Sequence, residues 1–148
     1  MRKLLATAAA GAAMFLTTTF AGASTDPTVT YSRHQGAYDV CITNPYNGTG
    51  ANMISEIDFG GFNMQPTSIS SPDPTIWGAY AWQQTNGTWT ISWNAMPGAG
   101  LSDSSSAVCG FSFKLGHKPT RSAEPATLYF YTTYGYFFGT TTVTANYQ

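Results

Sequence analysis

The fold of this chain is decided by the stretch Trp77-Gly-Ala-Tyr-Ala-Trp-Gln-Gln-Thr-Asn-Gly-Thr-Trp-Thr-Ile-Ser-Trp93, in which two alternating segments flank Asn86-Gly87. Asn-Gly predicts a two-residue type I′ hairpin turn, because both central residues of that turn need positive φ. The turn would pair Gln84 with Trp89, Trp82 with Ile91 and Tyr80 with Trp93. These six residues would form one large aromatic face, which we expect to be the core side, and the small polar residues would face water.

Further alternating segments predict strands at residues 28–31, 37–44, 53–59, 108–115, 127–133 and 136–147. Gly, Pro, Asn and Ser separate them, and residues 65–74 form a proline-rich linker. No helical pattern of useful length follows residue 24. The sequence therefore predicts an all-β protein, an antiparallel β-sandwich that is immunoglobulin-like or jelly-roll-like.

The N-terminal residues have the pattern of a secretory signal peptide. Arg2 and Lys3 precede an uncharged apolar stretch at residues 4–20, and Ala21-Gly22-Ala23 has the form of a signal peptidase site. We predict a signal peptide over residues 1–23 and a single β-sandwich domain over residues 24–148. The product would be secreted and extracellular or at the cell surface. No second long apolar run is present, so we expect no membrane insertion of the mature chain.

The composition of the chain restricts its partners. Charged residues make up 9% of the sequence and aromatic residues 15%. Of six basic and seven acidic residues, two basic ones lie in the predicted leader, so the mature chain is slightly acidic. A nucleic-acid partner is not expected, because phosphate binding requires a basic surface. The partners that remain are a glycan, a cell-surface protein or further copies of the chain.

Cys41 and Cys109 are predicted to form one disulfide, since exported proteins oxidise paired cysteines. The alternation of their two strands places these cysteines on different sides of the sheet. Val40 and Ile42 alternate as a core face, which directs Cys41 outward, whereas Cys109 has the parity of the apolar Phe111. Either a β-bulge shifts the register of one strand, or the bridge lies at an edge of the sandwich.

The sequence presents no catalytic, cofactor or metal motif, so none of these sites is assigned. His34 and His117 lack metal-ligand spacing. Glu56 and Asp58 share one side of a predicted strand. Paired carboxylates can hydrolyse glycosidic bonds or help to bind calcium. Ile57 alternates with them on an apolar side, so the pair is interpreted as the solvent face of the strand.

Exposed aromatic rings are the favoured functional groups, because a sugar presents an apolar C–H face that stacks on Trp or Tyr. In the predicted register, Trp77 lies on the other side of its strand from the aromatic hairpin face. It also follows the proline-rich linker, so we expect it to be exposed. Tyr46, Tyr134 and Tyr136 lie near predicted turns. These four residues are the predicted ligand-binding set, and the predicted function is non-enzymatic binding of a neutral glycan or a cell-surface partner.

The C-terminal residues 127–147 are uncharged and apolar on both faces. Strands of this kind are either buried on both sides or paired with another chain. The first interpretation predicts a central strand of the sheet. The second predicts an assembly edge.

Several segments resemble uncharacterised bacterial secreted domains of the immunoglobulin-like β-sandwich type. They are Tyr38-Asp-Val-Cys-Ile-Thr-Asn44, Trp77 after a proline-rich loop, Trp89-Thr-Ile-Ser-Trp93, Ser104-Ser-Ser-Ala-Val-Cys-Gly-Phe-Ser-Phe113 and Pro119. The resemblance implies an immunoglobulin-like sandwich and carries no known activity. Cys109 is not part of the pattern.

The last fourteen residues are similar to the C-terminal strand of chaperone–usher pilins. Gly135 opens the segment, Tyr147 is penultimate, and Phe137, Thr141, Val143 and Ala145 alternate between them. In pilins a strand from a chaperone or a neighbouring subunit completes the fold. This resemblance implies an alternative function, a structural subunit of an extracellular filament or matrix, with residues 24–34 as the donated strand.

Overall fold

The computed structural model describes residues 26–45, 53–102, 104–117 and 123–148. Every regular element in these ranges is a β-strand, which confirms the all-β prediction. The strands are β1 (Thr28–His34), β2 (Ala37–Asn44), β3 (Met53–Phe62), β4 (Thr67–Ser70), β5 (Trp77–Gln83), β6 (Trp89–Ala95), β7 (Ser104–Lys114), β8 (Ala123–Tyr131) and β9 (Phe137–Tyr147). The predicted signal peptide and residues 24–25 lie outside the described residues. None of the described residues forms a helix long and apolar enough to cross a membrane.

The short strand β4 was not predicted from the sequence. It lies in the proline-rich linker, where Pro66 and Pro72 flank Thr67–Ser70. Proline donates no backbone hydrogen bond and is confined to edge strands or strand ends. This agrees with the position of β4 at one end of the sheet.

All nine strands belong to one hydrogen-bonded sheet of order β4-β7-β2-β1-β9-β8-β3-β6-β5. Neighbouring strands are antiparallel as predicted, except β1 and β9, which pair in parallel at Thr30–Asn146 and Tyr31–Tyr147. The parallel pair was not expected. It brings the two chain ends of the domain into the middle of the sheet.

The sheet folds over on itself and becomes a two-layered sandwich. Phe59 on β3 and Phe113 on β7 have ring centroids 5.7 Å apart, although four strands separate them in the sheet order. The ring centroids of Trp77 on β5 and Phe111 on β7 are 5.1 Å apart, in an edge-to-face arrangement. The Trp93 indole Nε1 on β6 donates to the Ser70 carbonyl on β4 at 2.9 Å. The core therefore lies between the two halves of one folded sheet, which confirms the predicted β-sandwich.

Large aromatic and branched side chains fill this core. Burial of such side chains contributes roughly 1.5–3 kcal/mol each, which is the main term that holds the two layers together. The largest fully buried side chains are Trp93, Tyr31, Tyr38, Phe59, Phe111, Phe113, Ile42, Ile54, Ile57, Ile91, Leu128 and Val29.

The β5–β6 hairpin forms where it was predicted, but its register differs by one residue. Gly87 N–H donates to the Gln84 carbonyl at 2.9 Å, and Gln84 N–H donates to the Thr88 carbonyl at 2.7 Å. Gly87 has a φ of 84°, and Asn86 Oδ1 accepts from Thr88 N–H at 2.9 Å. These bonds define a three-residue loop, a type I turn followed by a left-handed glycine, instead of the type I′ turn.

The shift reverses the two faces of β5. Trp82 now pairs with Thr90 and Tyr80 with Ser92, and not with Ile91 and Trp93. Because side chains alternate along a strand, a one-residue slip moves every side chain to the other face. The prediction that Tyr80 and Trp82 are core was therefore wrong. They are 52% and 41% exposed. The expectation that Trp77 is exposed was also wrong, since it is 5% exposed and packs on Phe111.

The disulfide between Cys41 and Cys109 is confirmed, with the two Cα atoms 4.1 Å apart. A β-bulge explains how Cys109, which was expected on the core side, can reach the outward-facing Cys41. Val40 pairs with Phe111 and Ile42 with Val108, so Cys109 and Gly110 together lie opposite Cys41. Gly110 has a φ of 101°, and its N–H donates to Asp39 Oδ1 at 2.9 Å. The bulge turns Cys109 outward while Phe111 stays in the core.

The C-terminal segment lies inside the sheet, as the first of the two interpretations predicts. β8 pairs with β3 on one side and β9 on the other, and β9 lies between β8 and β1. Neither β8 nor β9 is a terminal strand of the sheet. β1, within the suggested donor segment, pairs with β2 of its own chain over all seven residues. The fold of one chain does not test the filament alternative, which stays a prediction.

Candidate functional site

The outer surface of β5, β6, β3 and β8 carries carboxylates and aromatic rings side by side. On β3, Ile57 and Phe59 point into the core, so Glu56 and Asp58 point outward. On β8, Leu128 is buried and its neighbours alternate outward in the same way. The resulting surface, here called the polar–aromatic face, is formed by Glu56, Asp58, Tyr80, Trp82, Thr90, Ser92, Asn94, Thr127, Tyr129 and Tyr131.

Tyrosines of β8 are held against the carboxylates of β3. Tyr129 donates its hydroxyl to Asp58 Oδ2 at 3.2 Å, and the Tyr131 hydroxyl lies 3.5 Å from Glu56 Oε2. These contacts join residues more than 70 positions apart in the chain, because β3 and β8 are neighbours in the sheet. They hold the phenol rings and the carboxylates in one arrangement on a rigid surface.

On the other side of β3, Asn94 orders the polar groups of β6. Its side-chain amide donates to Ser92 Oγ at 2.9 Å and to the Tyr80 hydroxyl at 3.3 Å. Because Tyr80 is 52% exposed, these polar groups lie beside an exposed ring.

A groove of about 330 Å³ crosses one end of the face. Trp82 and Gln84 line one side, Tyr129 and Thr127 line the other, and Asp58 lies between them. Asp58 Oδ1 is shielded from solvent and accepts no hydrogen bond from the described residues. A buried acceptor without a hydrogen bond lowers stability by about 1–3 kcal/mol. A ligand hydroxyl that donated to the Asp58 carboxylate in the groove would remove this cost.

A second groove of about 180 Å³ lies at the opposite end of the face. Glu56, Asn94 and Tyr131 contribute its polar groups, and Met96 and Pro97 of the following loop form its rim. The two grooves have no lining residue in common, although β3 contributes a carboxylate to each of them.

The titration of the face follows from its burial and from the closeness of the carboxylates. Burial raises the pKa of Glu56, the neighbouring Asp58 raises it further, and the bond from Tyr131 acts in the opposite direction. Burial raises the pKa of Tyr129 and of Tyr131, and the carboxylates raise both further. Both phenols are therefore protonated donors at neutral pH.

Glu56 is expected to make folding stability pH-dependent. Its pKa in the folded chain lies above its ordinary value of 4.5, so the folded state binds this proton more tightly than the unfolded state. The resulting stabilisation is complete below pH 4.5 and is lost as the pH rises through the folded pKa. Urea unfolding of the wild type and of Glu56→Gln at several pH values across this range tests this expectation. The free energy of unfolding of the wild type, relative to that of the variant, should fall as the pH rises. A difference that does not change with pH would contradict the raised pKa.

The structure separates the residues that were predicted to bind a ligand. Trp77 is buried on the opposite side of β5 from Trp82, so it cannot stack on a ligand. Tyr46 lies outside the described residues. Tyr134 and Tyr136 are exposed, at 86% and 72%, in the turn between β8 and β9. That turn borders the second groove through Gly135 and does not reach Trp82.

The sequence predicts the solvent-side position of Glu56 and Asp58 but not the aromatic rings beside them. Tyr80 and Trp82 would have been found from the three-residue loop, the other hairpin turn that Asn-Gly can form. A metal site is not supported on the described part of the chain. The one group of three possible ligands there is Asp39 with Cys41 and Cys109, and both sulfurs are in the disulfide.

Comparisons with known proteins gave structural matches alone. No protein-family model and no curated protein matches the sequence. A cohesin module from a family 33 glycoside hydrolase of Clostridium perfringens is 12% identical, with a TM-score of 0.44 over 83% of this chain and 97% of that one. A chain of the CaDoc0917–CaCohA2 complex is 11% identical, with a TM-score of 0.39 over 83% of this chain and all of the other. At these values we infer no activity or partner from either match.

Proposed function

We propose that this chain is a secreted, non-enzymatic binding module that holds a neutral glycan on the polar–aromatic face. The observation that carries this proposal is the groove in which the exposed Trp82 faces Tyr129 across Asp58. Its volume of about 330 Å³ lies at the lower end of the range for small-molecule sites. A pyranose ring stacked on Trp82 would direct its hydroxyls toward the carboxylate and the side-chain amide of Gln84.

The charge of the face favours a neutral ligand. Glu56 and Asp58 are its ionisable acids, and none of the described lysine, arginine or histidine residues is part of it. A sugar acid or a sulfated glycan would meet these carboxylates without a compensating cation, which costs binding free energy. Sugar hydroxyls instead donate to carboxylates and accept from phenols and amides, and all three groups are present.

The arrangement of the carboxylates favours binding over hydrolysis. An inverting or retaining glycosidase places its two carboxylates on opposite sides of the scissile bond. Glu56 and Asp58 project in the same direction from one strand of an open face, and a tyrosine hydroxyl contacts each of them. They are therefore suited to holding hydroxyl groups from one side.

Replacing Trp82 with alanine should weaken glycan binding about fivefold, since stacking on one aromatic ring contributes on the order of 1 kcal/mol. A broad array of neutral oligosaccharides identifies the probe, and isothermal titration calorimetry then compares the wild type with Trp82→Ala. Tyr134→Ala is the matched control, because it removes a more exposed ring outside the face and should leave the affinity unchanged.

Two results would overturn the proposal. One is the absence of binding to any neutral glycan on the array. The other is release of reducing ends from a bound glycan by the wild type that stops in Glu56→Gln or Asp58→Asn, because such turnover would make the protein a hydrolase.

A further inference from the structure

The larger groove of the polar–aromatic face places a carboxylate between two aromatic rings. Trp82 lies on one side of the groove, Tyr129 lies on the other, and Asp58 lies between them. The Trp82 ring is exposed, and the Tyr129 hydroxyl donates to Asp58 Oδ2 at 3.2 Å. The face of an aromatic ring attracts cations, and a carboxylate attracts them more strongly. The groove therefore combines two kinds of group that attract positive charge.

The described part of the chain places no basic side chain on this face. The described basic residues lie on two strands of the other half of the sheet or directly after them, and they are Arg33 and His34 on β1, Lys114 on β7 and His117 after β7. Glu56 adds a second carboxylate to the face. Burial raises the pKa of Glu56, and the charge of Asp58 raises it further. The negative charge that disfavours an anionic ligand therefore favours a cationic one.

The hydrogen bonds around Asp58 also favour a ligand that brings donors. The Tyr129 hydroxyl already donates to Asp58 Oδ2, and the Gln84 side-chain amide donates to Thr90 Oγ1. Asp58 Oδ1 accepts no hydrogen bond from the described residues. A primary ammonium group has three donors and no acceptor, and hydrogen bonds between charged partners are about twice as strong as neutral ones. It matches both the charge and the hydrogen-bonding capacity of the groove.

We propose that the groove between Trp82 and Tyr129 binds a primary ammonium group, with Asp58 as its counter-ion. The ammonium donates to the carboxylate, and the C–H groups beside it contact the two rings. The amine of an amino sugar and the ε-amine of a lysine on a partner protein have this chemistry in common. The inference goes beyond the proposed function, because it concerns a charged group and holds whether or not a neutral sugar also occupies the groove.

Acetylation of the amine tests the proposal, because it removes the charge and leaves the rest of the ligand in place. The sugar probes are the methyl glycosides of glucosamine and of N-acetylglucosamine. The lysine probes are Nα-acetyl-lysine amide and its Nε-acetylated form. At about pH 6, where both free amines are charged, at least one of them should bind at least about tenfold more tightly than its acetylated form. The pair that shows this preference identifies the source of the amine.

Nuclear magnetic resonance of the indole N–H signals records these titrations on the secreted chain, since it detects weak binding. The Trp82 signal is assigned from its loss in Trp82→Phe. Higher salt should weaken the binding of the free amine and leave that of the acetylated form nearly unchanged, because salt screens the attraction between charges.

Asp58→Asn is the matched variant, because its amide oxygen can still accept from the Tyr129 hydroxyl while the charge is lost. It should remove the preference for the free amine and change the affinity of the acetylated form little. Glu56→Gln removes a carboxylate that lines the other groove, so it should reduce the preference by a smaller factor.

Three results would overturn the proposal: no binding of either free amine, equal affinities of the free and acetylated forms, or a preference that persists in Asp58→Asn. These outcomes are distinct from failure of the proposed function. Neutral glycans that bind while free amines have no advantage would remove this inference alone. Free amines that bind while no neutral glycan does would remove the proposed function alone.

Discussion

Replacing Trp93 with alanine is expected to lower the free energy of unfolding by about 4 kcal/mol, as other large-to-small aromatic substitutions in cores do. Trp93 is fully buried. Its ring lies 5.5 Å from that of Phe111 on β7 and 6.3 Å from that of Phe59 on β3. The substitution leaves a cavity between the two layers and also leaves the Ser70 carbonyl without its indole donor. Urea unfolding followed by far-UV circular dichroism measures the effect.

Trp82→Ala is the control within the same hairpin. Trp82 lies on the outer face, and its loss should cost less than about 1 kcal/mol of stability while weakening ligand binding. The type I′ register would have placed both tryptophans in the core. Equal and large losses from the two variants would therefore contradict the observed register and, with it, the location of the polar–aromatic face.

The strand pattern could be predicted because it depends on neighbouring residues. Val40 and Ile42 alternate with polar partners, as do Ile57 and Phe59, and all four are fully buried. The hairpin register could not be predicted in the same way. Asn86-Gly87 is compatible with a two-residue and a three-residue loop, since both need a left-handed glycine. The choice depends on which face of β5 finds a core, and here Trp77 packs on Phe111 of a distant strand.

In the candidate site, too, side-chain direction could be predicted from neighbouring residues, whereas contacts between distant strands could not. The outward direction of Glu56 and Asp58 was evident from the apolar residues between them. The rings that accompany them come from β8, which joins β3 only in the folded sheet. The register of β3 against β8 also shifts between Ile54 and Glu56, so counting from the strand ends would not have placed Tyr129 beside Asp58.

Removing the disulfide is expected to lower the free energy of unfolding by about 4 kcal/mol. The bridge closes a loop of 68 residues, and constraining a loop of this length in the unfolded chain accounts for that magnitude in the chain-entropy model. It joins β2 to β7 at a bulge, where the ladder between them is interrupted. The double variant Cys41→Ala, Cys109→Ala should therefore unfold at a lower denaturant concentration than the wild type.

Reducing the disulfide should lower the free energy of unfolding by the same amount as the double substitution, and this comparison is the control. Dithiothreitol should move the unfolding midpoint of the wild type to that of the double variant and should not change the variant itself. Intact mass should rise by two hydrogens on reduction of the wild type. The polar–aromatic face lies on β3, β5, β6 and β8, whereas the bridge joins β2 and β7, so glycan affinity below the unfolding transition should be unchanged. An unchanged midpoint after complete reduction would show that packing of the layers, and not the cross-link, determines the stability of the sandwich.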